Sequence, residues 1–184
     1  ESMSTTHVAK LIYGIKEADA KFYCEQDKLD LKDDCEVNLV SYFYDVGLAS
    51  YLIGLENELH VSRDPLRGNL FENMVIIEAL KYRFNRGKRN NLNFYRDSGG
   101  NEIDMVVNIG HKLFPVEIKA GETITTEFFK GLKYFNKLFQ NTPYGSGLIY
   151  GGDSVQTRND VMVHTGTEIH KLLSMVNSKD SKAV

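Results

Sequence analysis

The chain is poor in the residues that staple small domains or break their elements: two cysteines, three prolines and no tryptophan in 184 residues. Cys24 and Cys35 form no CxxC pair and provide no disulfide framework, so a reducing, cytoplasmic setting is expected. The histidines His7, His60, His111, His164 and His170 lack zinc-ligand spacing, which argues against a histidine-based metal site. No apolar run approaches the ~20 residues that cross a bilayer, and the first thirty residues lack a signal-peptide core. No membrane partner is therefore expected. There is no G-x4-GK[ST] loop to cradle ATP and no G-x-S-x-G elbow to present a nucleophilic serine. The glycine-rich YGSGLIYGG at 144–152 lacks the dinucleotide fingerprint and reads as a core strand between turns. A net charge of -3 gives no global attraction for nucleic acid.

What is present suffices for one domain with a sizeable core. Its charge is unevenly spread. Residues 25–36 (EQDKLDLKDDCE) carry six acids against two lysines and read as an exposed connection. Residues 81–96 (KYRFNRGKRNNLNFYR) carry six basic residues and no acid. Lys81, Arg83, Arg86, Lys88, Arg89 and Arg96 can attract phosphate even on a mildly acidic protein, with Tyr95 as a base-stacking candidate. A solvated helix end and loop is the alternative reading of the same segment. The expected division is an irregular connecting segment 1–36, a domain 37–178 and a flexible tail 179–184.

Residues 37–53 are apolar and aromatic, and predict a short strand or helix. Residues 68–84 (GNLFENMVIIEALKYRF) form the strongest helix candidate, with Phe71, Met74, Val75, Glu78 and Tyr82 on one face. Glu78 is then the inward acid and Glu72 lies on the flank. Strand-like runs follow at 92–96, 102–109 and 112–119, then a helix pattern over 124–140 with Phe128, Leu132, Phe135, Leu138 and Phe139 as its stripe. Short strands at 146–151 and 160–164 and a terminal helix over 167–177 complete the series. This order predicts an α/β fold, a central sheet flanked by helices.

The stretch EIDMVVNIGHKLFPVEIKAG (102–121) carries charge inside two apolar runs. Gly110-His111 suits a two-residue type II′ hairpin turn. That turn sets Asp104 opposite Glu117, with Lys119 on the same face and Ile103, Met105, Val107 and Ile109 on the other. Paired carboxylates raise one another's pKa unless a cation lies between them, and Mg²⁺ or Mn²⁺ suits such oxygen donors. A cross-strand salt bridge with Lys119 satisfies the same geometry.

Asp104, twelve intervening residues and then Glu117-Ile118-Lys119 resembles the signature of the PD-(D/E)XK, or restriction-endonuclease-like, nuclease superfamily. Ile103 stands where that signature has proline. GNLFEN at 68–73 resembles the superfamily's first-helix motif, with Glu72 as an additional metal-site acid. YFYDVGL (42–48), GNLFENMVIIEAL (68–80), FYRDSGGNEIDMVV (94–107) and PVEIKAG (115–121) together resemble something more specific. They look like the nuclease-like C-terminal domain of unknown function that follows the ATPase module of many bacterial and archaeal AAA-type ATPases.

The resemblance implies an αβββαβ core with a mixed sheet. It implies Mg²⁺ (or Mn²⁺) held by Asp104, Glu117, Glu72 and the Ile118 carbonyl, with Lys119 as the catalytic lysine and Glu78 behind them. It also implies DNA as the partner, an upstream ATPase module in a longer protein, and either phosphodiester cleavage or an inactive docking role. Self-association is a further expectation.

Overall fold

A computed structural model describes residues 42–139 and 141–181. Contacts divide the chain into Glu1–Tyr42 and Phe43–Val184, and the second unit is described here. The expected connecting segment 1–36 lies outside the described residues.

Two short helices open the unit: α1 (Val46–Leu52), capped by the Asp45 carboxylate, and α2 (Glu58–Arg63), capped by Asn57. The long α3 (Arg67–Phe84) follows. Then come β1 (Leu92–Arg96), β2 (Glu102–Ile109), β3 (Lys112–Lys119), α4 (Lys130–Leu138), β4 (Ser146–Tyr150), β5 (Gln156–Arg158), β6 (Val161–Thr165) and α5 (Ile169–Ser181). A 3-10 turn, Thr126–Phe129, leads into α4. The strands form one mixed sheet in the order β1-β2-β3-β4-β6-β5. Pairs β1/β2, β2/β3 and β5/β6 are antiparallel, while β3/β4 and β4/β6 are parallel. The α/β class and the αβββαβ order are as the sequence predicts. The helix α2 and strand β5 had no clear sequence signal, and α5 continues to Ser181, into the stretch expected as tail.

Both faces of the sheet are covered, so the middle of β2 and of β3 is buried on both sides, charged residues included. On one face Ile103, Val106, Leu148, Tyr150, Val161 and Val163 meet Phe129, Leu132 and Phe135 of the α4 segment. On the other, Phe114 and Val116 face Leu172 of α5 across Gly147, and α3 lies against β3 and α5. Leu138, expected in the α4 stripe, is exposed, because Phe139 beyond the helix end fills that place in the core.

The β2/β3 register is the one the turn predicts: Ile109 pairs Lys112 and Met105 pairs Val116, with Gly110 at φ 63°. The β1/β2 ladder adds a feature the alternation did not contain. Asn93 pairs Val106 but Tyr95 pairs Ile103, so β2 spends one more residue than β1 over the same span. This bulge at Asp104-Met105 turns Ile103 onto the α4 face with Val106. The sequence expectation had placed Ile103 on the face away from Glu117, and the bulge corrects it.

Candidate functional site

Three charged groups converge where the β2/β3 ladder ends. Beyond the Met105/Val116 pair, the Asp104 carboxylate takes the place of a backbone acceptor: the Ile118 N–H donates to its Oδ2 at 2.7 Å. The Lys119 ammonium donates to the same Oδ2 at 3.1 Å and lies 2.7 Å from Glu117 Oε1. Both carboxylates are buried, each residue 6% exposed, while the Lys119 side chain keeps 33% of its surface. With both acids ionised, one cation serves two buried anions and the cluster carries a net charge of -1.

The electrostatics follow from that imbalance. Burial disfavours the Glu117 carboxylate, and the Asp104 charge disfavours it further; Lys119 only partly offsets them, so its pKa is raised to about 7. Glu102, at the start of β2, adds its charge in the same direction. Burial alone would lower the Lys119 pKa, but Asp104 and then Glu117 outweigh it and raise it above the ordinary lysine value. Glu117 Oε2 is buried with no hydrogen-bond partner, which is costly for an ionised oxygen.

Helix α4 closes the site from above. An ideal Cβ on Gly131, in its first turn, would stand 3.0 Å from Glu102 O, 3.3 Å from Glu117 Oε2 and 3.3 Å from Ile103 Cδ1. Only glycine lets the helix approach this closely. The interruption of the aromatic stripe in FFKGLKYF was the available sign of it.

The other predicted residues are distributed as follows. Glu72 is half-buried on α3 and does not join Asp104 and Glu117: among the described residues no three His, Cys, Asp or Glu side chains are grouped to hold a metal. Glu78 is exposed and paired with Lys81 at 2.8 Å, which corrects its expected inward position. The buried positions of α3 are Asn73, Val75, Ile76, Ile77, Ala79 and Tyr82, so the inward stripe skips Glu78. Asn73, the last residue of GNLFEN, has a structural role that was overlooked. Its Oδ1 accepts from the Phe43 N–H at 2.6 Å and its Nδ2 donates to the Phe43 carbonyl at 2.7 Å. It thereby ties two of the recognised sequence blocks together.

The basic segment divides between the two ends of the sheet. Asn91 bonds Asn108 near the hairpin turn, whereas Arg96 pairs Glu102 beside the acidic cluster. Asn108 and Glu102 stand six positions apart on β2, about 20 Å at the rise of a strand. Arg83 donates to the Arg89 carbonyl, Arg86 stacks on Tyr82 with its guanidinium carbon 3.7 Å from the ring centroid, and Lys88 and Arg89 are exposed. Arg96 lies 4.0 Å from Glu102. Tyr95 is committed elsewhere: it meets Phe135 and Phe139 edge-on, with centroids at 5.1 and 5.5 Å. Its ring belongs to the α4-side core, which corrects its proposed role as an open stacking platform.

The model of a family described as a domain of unknown function, DUF4143, matches residues 67–171. The match covers more than half of the chain, and it spans α3 to the start of α5. The chain belongs to this family. No curated protein matches it.

Proposed function

We propose that this chain is a PD-(D/E)XK-type nuclease-like domain that binds nucleic acid and hydrolyses phosphodiesters with a divalent cation. The observation that carries the proposal is the buried Asp104–Glu117 pair sharing one lysine, with Glu117 Oε2 left without a partner. The donor set fits Mg²⁺ or Mn²⁺: hard carboxylate oxygens, a net negative charge, and an unsatisfied oxygen that a cation would complete. Asp104, Glu117 and the Ile118 carbonyl would hold the ion, whose contribution is to lower the pKa of a bound water and offset phosphate charge.

Lys119 supplies the remaining chemistry from its exposed side. Its ammonium is positioned to orient the attacking water and to stabilise charge developing on the phosphate. Glu117, with a pKa of about 7, gives up its proton near neutrality when a cation takes its place. Lys88, Arg89 and Arg96 are the residues assigned to backbone phosphates, which gives affinity with little sequence selectivity. The resemblance of the four sequence blocks supports an upstream ATPase module in the longer protein, with DNA as the shared partner. The expected self-association belongs to that same arrangement.

One observation favours a second reading. Lys119 already bridges both acids and no third acidic ligand is grouped with them among the described residues. A nuclease fold retained as an inactive docking module for DNA or protein fits that arrangement. Mg²⁺-dependent cleavage of DNA by the wild type, against Lys119→Ala and Asp104→Asn, separates the two. Cleavage lost in both variants supports the enzyme; Mg²⁺-independent binding with no cleavage by the wild type supports the docking module.

A further inference from the structure

We infer that helix α4 is the brace that aligns the Asp104–Glu117 pair, with Gly131 and Tyr134 as positioning residues one turn apart. The consequence for metal binding rests on the metal-site reading above; the alignment itself does not. Two independent contacts carry it. Gly131 brings the first turn of α4 against Glu102 O and Glu117 Oε2, so the helix backbone walls the unpartnered oxygen on one side. Tyr134, three residues on and therefore on the same face, donates its hydroxyl to Asp97 Oδ2 at 2.7 Å.

Asp97 is the organiser of the β1–β2 turn. Its Oδ1 accepts from the Asn101 N–H at 2.9 Å, its Oδ2 from Asn101 Nδ2 at 2.9 Å, and its own N–H donates to the Asn101 carbonyl at 3.0 Å. The next residue after this closed turn is Glu102, whose carbonyl faces Gly131, and the bulge at Asp104 follows. A bulge has an irregular ladder and is free to re-aim its side chains unless its flanks are fixed. Tyr134 fixes the turn before it and Gly131 fixes the backbone beside it. The turn sequence RDSGGN and the KGLKY of α4 therefore act as one unit, although twenty-eight positions lie between them.

The test uses Tyr134→Phe and Gly131→Ala in the full chain, with Gly68→Ala as control, since a Cβ at Gly68 meets nothing within 4 Å. Tyr134 is 39% exposed, so removing its hydroxyl leaves the core intact. The first readout is metal-free: the NMR shift of the Ile118 amide, which is bonded to Asp104 Oδ2. It is expected to move in Tyr134→Phe and in Gly131→Ala but not in Gly68→Ala, with the Asn108 amide at the far end of β2 unchanged. The second is Mn²⁺ titration, in which loss of a supporting contact is expected to weaken binding about tenfold. An Ile118 amide unchanged in both variants overturns the brace. A moved amide in a protein whose wild type binds no Mn²⁺ upholds the brace and removes the metal-site reading.

Discussion

Replacing Glu117 by Gln isolates the feature on which the site depends. Gln has the shape of a protonated glutamic acid and cannot ionise. In the wild type, burial and the Asp104 charge raise the Glu117 pKa from 4.5 to about 7. A folded-state pKa above the unfolded value means that the folded chain keeps a proton the unfolded chain releases. The stabilisation is complete below pH 4.5 and is lost as pH rises to about 7. At 1.36 kcal/mol per pH unit, the loss is about 3 kcal/mol by pH 8. Glu117 is nearly fully buried, so solvent screening takes little from that figure. Urea unfolding between pH 4.5 and pH 8 measures it directly. The wild type is expected to lose about 3 kcal/mol relative to Glu117→Gln across this range, and Mg²⁺ at pH 8 is expected to restore stability to the wild type alone. Parallel pH profiles for the two proteins would refute the reasoning, because they would mean that Glu117 is comfortably ionised in the folded state.

Other outcomes follow from the same contacts. Lys119→Ala leaves two buried carboxylates without their cation and is expected to cost about 3 kcal/mol at pH 8. The cost should be smaller at pH 5, where Glu117 takes a proton; equal losses at both pH values in urea would contradict the shared-lysine account. Asn73→Ala removes both bonds to Phe43 and is expected to destabilise by about 2 kcal/mol, with amide exchange accelerated at Phe43. Unchanged exchange there would mean that the Asn73 clamp contributes nothing. Lys88→Ala with Arg89→Ala should weaken DNA binding and reduce the slope of log affinity against log salt by about 2. An unchanged slope would take the hairpin-turn end out of the interface.

The central hairpin was legible in the sequence because one turn fixes it. Gly110-His111 sets the register, and a period of two then carries Glu117 and Lys119 to one face. The bulge was not legible, since one inserted residue leaves composition and alternation nearly intact while moving Ile103 across the sheet. Nor was the inward face of α3. Its apolar residues run almost all round, so the stripe through Glu78 and the one actually buried are equally good on periodicity. The basic run misled in another way: proximity along the chain says nothing about the two ends of a strand, and β1 carries Arg96 away from Arg89. Tyr95 looked available beside that run, but its partners, Phe135 of α4 and Phe139 just past its end, come from some forty residues on. Gly131 interrupts the aromatic stripe of its segment, but that interruption alone does not say which backbone the helix approaches.

The most direct test of the metal-site claim is crystallography with Mn²⁺ at neutral pH. The account predicts an anomalous peak between the Asp104 and Glu117 carboxylates, with Glu117 Oε2 among its ligands and the peak absent in Glu117→Gln. A well-occupied crystal showing Lys119 still bridging both carboxylates and no peak between them would contradict it.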